Sequence, residues 1–217
     1  MKNNSRASLP QSRRAAVIRL TTDAMLAAVY IVLASFLSLN LPFTQISLSS
    51  FPILLCAFLF GTGDAVAVAL CGSFVEQVLY GLSPTAPLWM LPPILMALAA
   101  GLAAWLFRRL SGREMKLWQV ITVAVVGEVF LTVANTAVLY LDARIVGYPV
   151  KALAVLLPTR LLNCGLRAVC TTALTVLLLP LMRNLTGKLG LGRAAAAPED
   201  LSAEASATEE PPTDGRP

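Results

Sequence analysis

The sequence predicts an all-α membrane protein, a compact bundle of six transmembrane helices with both termini on the cytoplasmic side. Three observations carry that reading. Hydrophobic residues make up 57% of the 217 residues and charged residues only 13%, about half the charged share of a soluble domain. The apolar residues gather into runs suited to a hydrocarbon core of about 30 Å, and the mean hydropathy is +0.72. The basic residues crowd into alternate connections, the asymmetry that orients spans in a bilayer. Once the spans are placed, almost nothing remains for a soluble domain. A single membrane domain, residues 20–185, is expected between a basic N-terminal segment, 1–19, and an acidic tail, 186–217.

The first segment carries Lys2, Arg6, Arg13, Arg14 and Arg19 before the apolar signal begins. No short apolar stretch there ends in a small-residue cleavage site, so no signal peptide is expected. Helix 1 is predicted from Leu20 to Leu39. The uncharged segment Asn40 to Ser50 has a proline and several hydroxyls, which reads as an ordered loop. Helix 2 follows from Ser50 to Phe60. Gly61 and Gly63 reverse the chain, and Asp64 is placed to N-cap helix 3, Ala65 to Leu79. Tyr80 to Pro87 is a second loop, and helix 4 covers Leu88 to Phe107. A basic cluster holding Arg108, Arg109, Arg113 and Lys116 comes next. Helix 5 spans Leu117 to Leu141, and a loop with Asp142, Arg144 and Lys151 precedes helix 6.

The last apolar stretch, Ala152 to Met182, would be about 46 Å long as a straight helix, more than one hydrocarbon core needs. Proline suits a first helical turn and disfavours helix at the residue before it, so helix 6 is predicted to start near Pro158. Ala152 to Leu157 then becomes an apolar lead-in, and Arg160 falls in the first turn.

With the N-terminus inside, the inner segments hold five basic residues before helix 1, four after helix 4 and four after helix 6. The outer loops hold Arg144 and Lys151. From Ala194 onward the chain has six acidic residues against Arg216 and too few apolar ones to fold, which predicts a disordered cytoplasmic tail. The basic inner face reflects membrane topology and does not indicate a nucleic-acid partner. Cys56, Cys71, Cys164 and Cys170 lie within apolar runs and are expected as buried thiols. The absence of histidine excludes histidine acid-base chemistry and histidine metal sites, and no metal or cofactor is expected.

Charges inside the membrane mark candidate sites, because each costs several kcal/mol, on the order of 3, unless paired or solvated. Arg160, Asn163 and Arg167 stand at i, i+3, i+7 and share one face of helix 6. Glu128 and Asn135, seven apart, share one face of helix 5. The two ladders run antiparallel, so Arg160 is expected to meet Asn135, Glu76 or a ligand at the outer level. Arg167 is expected to pair with Glu128 below the reach of an outward-opening site. Glu76 and its neighbour Gln77 point to different faces, so at most one of them is expected to line a cavity. Each of these has a plainer reading: Arg160 can snorkel to the interface, Trp89 and Tyr80 can be aromatic-belt anchors, and Asn135 can join helices unless a cavity lies beside it. Ala24 and Ala28 form a small-xxx-small face on helix 1, suited to internal packing or to another helix.

The loop after helix 1, the segment ISLSSFPILLCAFLFGTGDAVAVALCGSFVEQVLYGL, the following LWMLPPILMALAAGL and the PTRLLN opening helix 6 together resemble the substrate-binding S components of energy-coupling factor (ECF) vitamin transporters. The folate-type branch is the nearest in likeness. The resemblance spans Leu20 to Leu185. It implies a vitamin-binding subunit of an ABC-type importer in a prokaryotic plasma membrane, partnered by a scaffold membrane subunit and two ABC ATPases. It also implies that Ala24 and Ala28 contact the scaffold, although the motif's next small position holds Val32. Leu41 to Ser49 would gate the ligand, and the pocket would draw on Gln45, Glu76, Gln77, Trp89, Asn135, Arg160 and Asn163. For a folate-like ligand, Arg160 would hold a carboxylate, Trp89 would stack and Glu76 would accept pterin N–H bonds. The chain has no phosphate loop of its own, so ATP hydrolysis would fall to partners. The alternatives are another B vitamin or micronutrient as ligand, or a structural membrane protein of an envelope complex. A membrane enzyme is disfavoured by the lack of nucleophile motifs.

Overall fold

The computed structural model of the chain describes residues 11–35, 39–41, 44–111, 115–147 and 150–188. Six helices are present among them: α1 Gln11–Ser35, α2 Ser50–Leu59, α3 Thr62–Leu79, α4 Ala86–Ser111, α5 Leu117–Val146 and α6 Val150–Lys188. Five are long and apolar enough to cross a membrane, and α2 is not. At ten residues, α2 is about 15 Å long, half a hydrocarbon core. It is buried from Ser50 to Phe58 because it packs on α1, α3, α4 and α6 together. A helix apolar on every side belongs in the middle of a bundle.

The last carbonyls of a helix have no partner within it. Two arginines meet them. Arg108 of α4 donates to the carbonyls of Phe58 at 2.6 Å and Ala57 at 3.4 Å, and Arg19 of α1 donates to Phe60 at 3.3 Å. Arg19 also pairs with Asp64. This corrects the expected role of Asp64: the residue flanking α3 is Gly61, at φ 109°, where a side chain would be strained. Asp64 sits in the first turn and neutralises Arg19, which disposes of two charges at once.

Other boundaries shift for identifiable reasons. α1 starts at Gln11 and stops at Ser35, so Leu39 lies outside it. The expected loop contains an antiparallel ribbon, β1 Leu39–Leu41 with β2 Thr44–Ile46, in which Asn40 faces Gln45. This ribbon is the only strand pairing among the described residues, and β2 packs against α6. α5 runs on to Val146 and ends at Gly147 with φ 89°, so Asp142 and Arg144 are helical instead of lying in a loop. α6 does not start at Pro158. It begins at Val150 and carries both Pro158 and Pro180 inside it, since a proline removes one backbone bond and the turns on either side can still hold the helix. Arg160, expected in the first turn, therefore lies ten residues into α6. The tail beyond residue 188 lies outside the described residues.

The cysteines also differ from expectation. Cys56 is buried, Cys164 is half-buried, and Cys71 and Cys170 are exposed on the bundle surface. A thiol is a small apolar group, so a lipid-facing position suits it as well as a core one.

Candidate functional site

α5 and α6 run antiparallel and present matching polar faces. From α5 come Leu131, Thr132 and Asn135, and from α6 come Arg160, Asn163, Cys164 and Arg167. With Tyr30, Ser47, Ser49, Glu76, Gln77, Trp89 and Pro93 they enclose a cavity of about 290 Å³. That volume is near the lower end for small-molecule sites, about 300 Å³. The i, i+3, i+4, i+7 spacing on α6 places all four of its contributors on one face.

The floor of the cavity is a buried ion pair. Arg167 Nη2 stands 3.4 Å from Glu128 Oε2, and the Glu128 side chain is wholly buried. The Ser50 hydroxyl donates to the other carboxylate oxygen of Glu128 and lies 3.4 Å from the Thr171 hydroxyl. The start of α2, the middle of α5 and the middle of α6 therefore meet at one carboxylate. Glu128 was expected to pair with Arg167, and the two are together. Arg167 was expected below the reach of the site, yet it lines the cavity. The reason is that the cavity runs two turns along α6, from Arg160 to Arg167, so one guanidinium serves both the pair and the wall.

Two turns from Arg167, Arg160 Nη1 donates to the Thr136 hydroxyl at 3.3 Å, one residue along from the expected Asn135. Glu76 is not its partner. Glu76 Oε2 accepts a hydrogen bond from the Tyr30 hydroxyl at 2.8 Å, and Tyr30 is only 2% exposed. The Tyr30 ring lies so close to α3 that a Cβ on Gly72 would stand 2.5 Å from its Cδ1. Glycine at that position lets α1 and α3 approach. Both Glu76 and Gln77 line the cavity, against the expectation that at most one would. Side chains 100° apart on a helix can both border a cavity that is wide relative to the helix.

Two guanidinium groups are incompletely satisfied. Among the described residues, Arg160 Nε and Arg167 Nε are buried without a hydrogen-bond partner. A buried donor left unpaired costs about 1–3 kcal/mol, more on a charged group. Both arginines line the one cavity, and guanidinium groups are strong donors to an anion.

Asn135 and Asn163 both line the cavity, as does Trp89. The backbone of Gln45 lies in β2 opposite Asn40, and its side chain lies outside the described residues. Ala24 and Ala28 do not line the cavity and are exposed on α1, on a face continued by Leu20 and Val32. Sequence reasoning missed Tyr30, Pro93, Leu131, Thr132 and Cys164, and covered Ser47 and Ser49 only as part of the Leu41 to Ser49 gate. Tyr30 carried a signal, as the one hydroxyl-bearing aromatic in helix 1, and Thr132 stands one helical turn from Glu128.

The family model described as ECF transporter, substrate-specific component, matches residues 18–179, a span that includes every residue lining the cavity. The chain belongs to this family. It is a multi-pass membrane protein and a substrate-binding transport subunit, not an enzyme. Among solved structures it is similar to the S component of a bacterial ECF transporter, with 22% identity and a TM-score of 0.53 over 80% of this chain and 98% of that one. It is also similar to ThiT from Listeria monocytogenes, with 19% identity and a TM-score of 0.57 over 78% of this chain and 97% of that one. These likenesses establish a shared fold. No curated protein sequence matches the chain.

Proposed function

We propose that this S component binds folate or a closely related vitamin in the cavity between α3, α5 and α6, for uptake through a scaffold membrane subunit driven by two ABC ATPases. The observation that carries this reading is the pair of guanidinium side chains, Arg160 and Arg167, lining a cavity that also holds a carboxylate and an aromatic ring. In this reading Arg160 holds a ligand carboxylate, Trp89 stacks on the flat ring system and Glu76 accepts ring N–H groups. Gln45, Gln77, Asn135 and Asn163 supply further amide contacts. Glu128 and Arg167 form the structural pair beneath. The segment Leu41 to Ser49 closes over the bound vitamin.

Ala24 and Ala28 are assigned to the scaffold contact, since small residues on an exposed face let another helix approach closely. The short α2 counts as the sixth membrane helix. Both termini are placed in the cytoplasm, because the basic residues gather before α1, between α4 and α5, and after α6.

The test is to purify the protein without added vitamin, identify any co-purifying small molecule by mass spectrometry, and titrate folate while following tryptophan fluorescence. Saturable quenching by folate is expected. Saturable quenching by a different B vitamin would reassign the ligand, and no response to any of them would remove the vitamin-binding reading.

A further inference from the structure

The two carboxylates at the cavity are held in different ways. Glu128 meets the Arg167 guanidinium and the Ser50 hydroxyl, so its charge is neutralised inside the protein. Glu76 is not. It forms no ion pair among the described residues, and its Oε2 accepts from the Tyr30 hydroxyl at 2.8 Å. A phenol is a neutral donor. It fixes the direction of a carboxylate and leaves the charge in place, whereas an arginine would orient the group and cancel its charge together. A carboxylate accepts at about four lone-pair sites, so Glu76 keeps most of its acceptor capacity for a molecule in the cavity it lines.

The Tyr30 hydroxyl is not needed to join α1 to α3. Arg19 with Asp64 ties the two helices at one level, and at another the hydroxyl of Tyr80, the residue after α3, donates to the Ala34 carbonyl at 3.3 Å. Between these ties the Tyr30 ring packs into the space that Gly72 leaves open, and it is almost fully buried. That packing uses the ring alone. The hydroxyl at its tip is therefore carried on a ring that has little freedom, and the group it reaches is a cavity-lining carboxylate. A glutamate side chain is rich in rotamers, and freezing it on binding weakens affinity unless it is held beforehand.

We propose that Tyr30 is a positioning residue for ligand recognition, holding the Glu76 carboxylate toward the N–H edge of the bound ring, so that the Tyr30–Glu76 pair selects for ligands with a ring amino group. This rests on the reading of the cavity between α3, α5 and α6 as the vitamin site with Glu76 facing the ring. The favoured class is a flat heterocycle with an amino group beside a ring N–H, two donors that one carboxylate accepts together. A heterocycle with acceptors along that edge sets lone pairs against a fixed negative charge, and is rejected for it.

The test titrates the purified full chain with folate, and with folate lacking the 2-amino group of its ring, while following tryptophan fluorescence. The parent protein should prefer folate by about tenfold or more, the worth of one hydrogen bond to a charged group. Tyr30→Phe keeps the ring against Gly72, so its melting midpoint should stay close to the parent's. Its affinity for folate should fall about five- to thirtyfold and its affinity for the 2-desamino analogue by less, so the preference shrinks. Glu76→Gln should erase the preference. Adding Tyr30→Phe to Glu76→Gln should change nothing more, because the hydroxyl acts through the carboxylate. Equal weakening of both ligands in Tyr30→Phe, or loss of the folded protein, would show a packing role and overturn the proposal. An undiminished preference would overturn it too, as would a double variant that loses the sum of the single effects. Failure of the parent protein to bind folate is a separate result, and it would remove the vitamin reading together with this assignment.

Discussion

Replacing Arg167 by leucine removes the cation from a carboxylate that has no route to water. Glu128 is wholly buried, its Oε2 stands 3.4 Å from Arg167, and its remaining help is the hydroxyl of Ser50. Breaking a buried pair from one side costs about 3–5 kcal/mol, because the abandoned charge stays desolvated. Removing the other partner is milder. In Glu128→Gln the amide still accepts from Ser50, and the Arg167 side chain keeps 12% exposure, so the expected cost is about 1–2 kcal/mol. The double substitution Glu128→Leu, Arg167→Leu should cost less than Arg167→Leu alone, since no charge is left behind. Thermal unfolding in detergent micelles reads this series. At about 2–4 °C per kcal/mol for a chain of this size, Arg167→Leu should lower the midpoint by about 6–20 °C. A fall of less than about 1 kcal/mol for Arg167→Leu would refute the reasoning, as would a double variant as damaged as the sum of the singles.

Further predictions concern the walls of the site and the α1 face. Gly72→Ala would place a methyl 2.5 Å from the Tyr30 ring, and overpacking of that kind should cost about 1–3 kcal/mol, read as a lower midpoint; an unchanged midpoint would show that α1 and α3 separate freely. Leucine at both Ala24 and Ala28 should leave folate affinity unchanged while stopping uptake in cells that supply the scaffold and ATPases, and normal uptake would remove that interface. Cys164 lines the cavity, so in a chain with Cys71→Ser and Cys170→Ser a small thiol reagent should modify it more slowly when folate is bound. A rate that ignores folate would place the ligand elsewhere.

Much of this molecule is legible in the sequence because the bilayer penalises charge so heavily. Arg160 and Arg167 stand out in an otherwise uncharged stretch, and Glu128 can be matched to Arg167 from helical spacing and antiparallel depth alone. What stays hidden depends on packing between distant segments. Nothing local to Asp64 shows that Arg19, 45 residues earlier, is its partner. Gly61 took the boundary of α3 because a positive φ suits glycine, and this freed Asp64 for the ion pair. Pro158 misled in a related way, since a local preference against helix at Leu157 yields to the helical turns on either side of it. Glu76 and Gln77 show the limit of face assignments, because the width of a cavity is a property of all the helices around it. Tyr30 was missed for the same reason: its hydroxyl gains meaning only once α1 lies against α3.

The most direct test of the account is the dissociation constant for folate of the purified protein beside those of Arg160→Ala and Arg160→Lys, each checked for an unchanged melting midpoint. A charge-assisted contact of about 1.5–3 kcal/mol predicts saturable binding by the parent protein. It also predicts affinity about ten- to a hundredfold weaker in Arg160→Ala, with partial recovery in Arg160→Lys. Folate affinity unaltered by Arg160→Ala in a well-folded protein would contradict it.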